Sequence, residues 1–135
     1  MNIDMRDAFF DELCNIARVD NQVMILVADM GAHSIDQFKI EFPSQFINVG
    51  ISEQNMISVA AGLALSGKKV FVYSIIPFVT YRCYEQIKVD ICGMNLPITI
   101  VGIGAGLSYA GDGPTHYGIQ DIILMRTLPQ ITILN

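Results

Sequence analysis

Short, unbroken apolar runs separated by helical pattern constrain this chain more than any other feature. "VMILVA" (Val23 to Ala28) has no polar interruption. A strand that is apolar at every position must be covered on both faces, as strands in a parallel sheet are. "FINVG" is a shorter run of the same kind; "KVFVYSI" and "PITIVGI" follow, and "QITIL" lies near the end. Helical stretches alternate with them. Met5 to Arg18 puts Phe9, Leu13, Ile16 and Ala17 on one face, behind Asp4 as N-cap. Ser52 to Ser66 reads as a helix capped by Ser52, with Met56, Val59, Ala60 and Leu63 inward and Gly67 closing it. Phe78 to Cys92 is predicted helical, with Pro77 tolerated near its first turn. Tyr117 to Arg126 is a predicted short helix. The implied fold is α/β: a parallel sheet with helices on both faces. No linker, repeat or low-complexity stretch divides residues 1–135, so a single domain is expected. A methionine just before a well-formed helix reads as a natural start. A strand followed by nothing reads as a C-terminally incomplete domain.

Composition narrows the class. Of 135 residues, 52% are hydrophobic and 16% charged, which calls for a large core or for apolar surface covered by a partner. The net charge is −5 with no Lys/Arg cluster, so the chain lacks the electrostatic footprint of a nucleic-acid binder. No apolar run reaches the ~18 residues of a membrane span. "MNIDMRDAFF" lacks the basic and apolar regions of a signal peptide. Cys14, Cys83 and Cys92 are odd in number and form no CxxC, which favours buried thiols in a reducing compartment over disulfides or zinc. A cytoplasmic location is expected.

In open parallel sheets, ligands bind beyond the carboxyl ends of the strands. Asp29, Glu53, Tyr73 to Pro77, and Gly102 to His116 fall there. Each has a bland reading beside a functional one. Asp29 is a turn residue or a site residue. Glu53, in "NVGISEQNM", is a capping-zone acid favoured by the helix dipole, or a carboxylate with chemistry to do. Phe78, Tyr81 and Tyr84 recur every three residues, as core or as an aromatic shelf.

"GIGAGLSYAGDGPTHYG" holds six of the eleven glycines. Its GxGxG spacing is not the dinucleotide GxGxxG, and it lacks the Gly-Lys-Ser/Thr of a P-loop. Gly111-Asp112-Gly113 resembles the start of the GDG…N metal-diphosphate motif of thiamine enzymes. No apolar strand leads into it, however, and the only downstream asparagine is Asn135, so it reads as a decoy. In "DGPTHYGIQD", Pro114 can lead a helical start. His116 at that helix mouth is a capping residue, or a group able to donate to one oxygen and accept from another.

"GISEQNM", "AAGLALSGKKVFVYS", "FVTYRCYEQIKVDI" and "GDGPTHYGIQDI" together resemble the pyrimidine-binding domain of transketolase. They are also similar to 1-deoxyxylulose-5-phosphate synthase. The likeness runs from about Val23 to Asn135; the β subunit of pyruvate dehydrogenase shares the SEQ stretch but not DGPTH. The resemblance implies thiamine diphosphate held between two domains. Its Mg²⁺ and diphosphate would belong to a partner domain or subunit, with no metal ligand on this chain. Glu53 would hydrogen-bond ring nitrogen N1′ and start the proton relay that activates the cofactor. Phe78 and Tyr81 would pack on the aminopyrimidine, with Ile75 where some members carry another aromatic. Asp29 would lie near the cofactor cleft, and Asp112 and His116 would face a sugar phosphate. A second family histidine, expected near Gly104, is missing. The implied activity is ketol transfer by a dimer or higher assembly, with the isolated chain inactive. The alternatives are a deoxyxylulose-phosphate-synthase-like condensation, or a non-catalytic homologue acting as an assembly or regulatory module.

Overall fold

The computed structural model describes residues 4–135; the expected natural start at Met1 lies outside them. Helix α1 (Met5–Val19) opens with Asp4, whose carboxylate accepts the Arg6 N–H at 2.9 Å. Its buried face is Phe10, Leu13, Cys14 and Ala17. That face is rotated by one position from the predicted one, and Ile16 points outward. β1 (Val23–Val27) follows, then α2 (His33–Glu41), β2 (Phe46–Asn48), α3 (Glu53–Leu65), β3 (Lys69–Ile75) and β4 (Ile98–Ile103). The four strands are parallel in the order β2-β1-β3-β4.

β1 is buried along its whole length, as its unbroken apolar run requires. Val23, Ile25 and Val27 face one way and join Tyr73, Phe10 and Phe38 beneath α1 and α2. Met24 and Leu26 face the other way and join Met56, Ile57, Ala60 and Val72 beneath α3. Helices therefore cover both faces, as expected. Leu26 is fully buried, so Leu26→Ala would cost about 2–5 kcal/mol. α3 closes where Gly67 takes φ +87°. There the Lys68 N–H reaches back to the Leu63 carbonyl at 3.0 Å.

Four local expectations are corrected. α2 was not anticipated from sequence. The predicted helix from Phe78 to Cys92 is broken into α4 (Ile76–Val79), α5 (Tyr84–Gln86) and a π-helical turn, Ile87–Cys92. The break has a chemical cause: the Thr80 hydroxyl donates to the Ile76 carbonyl at 2.6 Å, and the Cys83 thiol donates to the Phe78 carbonyl at 3.1 Å. Back-bonding of this kind bends a helix, although the Ile76 carbonyl still accepts the Thr80 N–H at 2.9 Å. The helix predicted from Tyr117 shrinks to α6 (Asp121–Met125), because Gly118 pairs with Gly106 in an antiparallel bridge. "QITIL" is irregular rather than a strand.

Candidate functional site

Because the strands are parallel, their carboxyl ends share one edge of the sheet. At that edge Asn48 ties β1 to β2: its side-chain oxygen accepts from the N–H groups of Asp29 and Gly50, each at 3.0 Å. Ser52 stands at the N-cap of α3, but its hydroxyl donates to the Val49 carbonyl at 2.8 Å and caps nothing. Glu53 is then the first residue of α3, and only 4% of its side chain is exposed.

A carboxylate buried that deeply is costly unless it is paired. Arg82 supplies the pair, with Nη1 donating to Glu53 Oε2 at 2.7 Å. The same guanidinium lies over the Phe78 ring, its Cζ 4.2 Å from the centroid. Phe78 in turn meets His116 edge-on, with centroids 4.9 Å apart. His116 Nδ1 is 3.0 Å from the Thr115 hydroxyl, and Tyr109 lies 6.5 Å from its ring. Glu53, Arg82, Phe78 and His116 thus form one continuous row from the buried start of α3 to the Gly-rich loop.

The remaining candidates stand apart from that row. Asp29 is an exposed turn residue in the left-handed region, at φ +51°. The aromatic stripe divides where the helix breaks. The Tyr81 hydroxyl accepts the Gln120 N–H at 2.7 Å, which pins the loop beyond β4 to the segment beyond β3. Tyr84 packs against the core and shares a 2.7 Å hydrogen bond with Thr127. Asp112 is exposed in a 3₁₀ turn, Ala110–Asp112. His116 ends a second 3₁₀ turn, Pro114–His116, and is not at the mouth of α6 as the sequence had implied.

Two residues escaped sequence reasoning. Arg82 carried a readable signal, because it follows Phe78 by four residues, a spacing that sets two side chains together on one turn. Tyr109 carried none: it fills the space beside Gly104 only through the fold of the loop.

Two further groups are shaped by burial. It pushes the Cys83 thiol, directly behind Arg82, up to about 12, with the Glu53 charge adding to the effect and Arg82 opposing it. The Tyr73 phenol is likewise raised to about 12 by burial. Cys14, Cys83 and Cys92 are all free and buried. Among the described residues no helix is long and apolar enough to cross a membrane.

Known proteins resemble the chain in sequence and in overall fold. The chain is 38% identical over 133 residues to one subunit of the apulose-4-phosphate transketolase of Phocaeicola vulgatus, covering 98% of this chain and 43% of that one. It is 43% identical over 128 residues to a 1-deoxy-D-xylulose-5-phosphate synthase of Shouchella clausii, covering 94% and 20%. A solved structure described as a split gene transketolase, inactive β4 tetramer, superposes with a TM-score of 0.82 at 34% identity, over 95% of this chain and 41% of that one. The chain spans less than half the length of these relatives. The family profile described as transketolase, pyrimidine binding domain, matches residues 1–135 in full. With the parallel α/β sheet, that match places the chain in the transketolase pyrimidine-binding domain family.

Proposed function

We propose that residues 1–135 act as one pyrimidine-binding unit, half of a thiamine diphosphate-dependent, transketolase-like enzyme that transfers ketol units between sugar phosphates. The observation that carries this reading is the planar, N–H-donating guanidinium of Arg82, held at once by the buried Glu53 carboxylate and the Phe78 ring. An aminopyrimidine ring asks for the same two things: a carboxylate for a ring N–H and an aromatic face to pack on. The residues therefore fit the group.

Thiamine diphosphate, when bound, supplies the carbanion chemistry that accepts and passes on the ketol unit. Glu53, buried at the start of α3, would hold a proton at ring nitrogen N1′. Phe78 would orient the ring, and Tyr81 would keep the loop beyond β4 against it. His116 would donate to oxygens of the sugar as charge develops, with Asp112 at the outer rim. Asp29 would border the cleft from the β1 turn. The diphosphate and its Mg²⁺ would be held by a partner subunit or domain in a dimer or higher assembly, in the cytoplasm. Alone, the chain would be inactive, a reading supported by the description of the 34%-identical solved relative as an inactive tetramer.

The test is reconstitution. The chain, its diphosphate-binding partner and the two together are assayed for ketol transfer, with wild-type Glu53 and with Glu53→Gln. The expected result is activity only for the pair, reduced by about 10²-fold or more in Glu53→Gln. Turnover by the chain unaided, or an undiminished Glu53→Gln complex, would overturn the reading.

A further inference from the structure

Arg82 makes two contacts that a cofactor ring would need for itself. One carboxylate edge and one aromatic face cannot serve two planar groups at once. We propose that Arg82 is an internal plug: in the unloaded chain its guanidinium stands where the aminopyrimidine would sit, and it must swing outward before the ring can enter. This rests on the pyrimidine-binding reading given above.

The surroundings of Arg82 are built for such a movement. Its backbone is held independently of its side chain: the carbonyl accepts from Gln54 Nε2 at 3.1 Å, and the N–H donates to the Pro77 carbonyl at 3.2 Å. The side chain can therefore turn without disturbing α3 or α4. An exit is open, because 42% of the Arg82 side chain is exposed against 4% for Glu53. Among the described residues, Glu53 is the only side chain hydrogen-bonded to the guanidinium, which otherwise lies on the face of Phe78. The plug also serves the empty site, since it satisfies a buried carboxylate and shields an aromatic face until a ligand replaces it. Arg82 then lowers the apparent affinity for cofactor by the fraction of time the plug is closed.

The experiment is isothermal titration of thiamine diphosphate, with Mg²⁺ in excess, into the chain assembled with its diphosphate-binding partner. Wild type is compared with Arg82→Met, which keeps an unbranched apolar stem but neither the charge nor the donors. Removal of the plug is expected to lower the dissociation constant about fivefold or more. Stopped-flow mixing should show the gain in the association rate. Arg82→Gln leaves a donor for Glu53 and gives an intermediate gain, which keeps the comparison available if the Met variant does not fold. Equal or weaker binding by the variants that fold overturns the plug while leaving the pyrimidine-binding reading in place. No binding by any protein, wild type included, overturns both.

Discussion

The ring of Tyr109 fills the space that a side chain on Gly104 would need, and Gly104 itself sits at φ +81°. A β-carbon there would meet both a steric and a backbone penalty. Gly104→Ala should lose about 1–3 kcal/mol of stability in urea denaturation. Adding Tyr109→Ala should return the steric part and leave the backbone part, so the two changes would be non-additive. A Gly104→Ala protein with the wild-type midpoint would mean that the loop has another conformation. A histidine at position 104 would need the space that the Tyr109 ring takes up.

Phe78 and His116 touch, yet they should fail in different ways. Phe78→Ala removes an aromatic face and is expected to weaken cofactor binding by about tenfold. His116→Ala leaves that face intact and should lower turnover by about 10²-fold with little change in cofactor affinity. Calorimetry and steady-state kinetics on the assembled complex separate the two. A His116→Ala complex with normal turnover would remove His116 from the proposed chemistry.

The Cys83 thiol ionises near 12 in the fold against an ordinary value of 9.0. An unfolded chain gives up that proton first as pH rises. The stabilisation is therefore whole below about pH 9 and drains away between there and about pH 12. At about pH 8, iodoacetamide should label none of the three buried cysteines until denaturant is added. Rapid labelling of Cys83 in native protein would show that the segment beyond β3 opens readily.

At the opposite end of the sheet, Lys69 Nζ is 2.7 Å from Asp20 Oδ2. The hydrogen bond from Lys69, helped by the Gln22 N–H, lowers the Asp20 pKa below its ordinary 3.8. Stability from this pair is present above that value and is lost as pH falls through the lowered one. In an acid series of urea midpoints, Lys69→Gln should flatten that limb. The pair is solvent-exposed, so added salt should shrink the difference.

Four strands were legible because an unbroken apolar run such as Val23–Val27 suits a strand covered on both faces, whereas "QITIL", read the same way, is irregular. Glu53 was legible as a residue following a strand, though not its pairing with Arg82, which arrives from 29 positions further along. The helix beyond Pro77 was misread for a local reason. Its apolar spacing is helical, but the Thr80 and Cys83 side chains back-bond to the Ile76 and Phe78 carbonyls, and periodicity takes no account of that. The start of α6 was placed too early because the Gly106–Gly118 bridge is a tertiary contact that turn chemistry does not announce.

The π-helical turn at Ile87–Cys92 reaches from residue i to i+5, with the Gly93 N–H meeting the Lys88 carbonyl at 2.9 Å. It stores one residue more than an α-helix would over the same span, a slack loop in an otherwise taut crossover. Asp90 hangs on that slack and accepts the Ser58 hydroxyl at 2.7 Å, which fastens the crossover to the helix that begins with Glu53. Shortening the chain by one residue here would draw the turn into an ordinary helix and carry Asp90 around the axis, away from Ser58. The irregular turn thus works as a spacer that sets the phase between two helices, one of which carries Glu53.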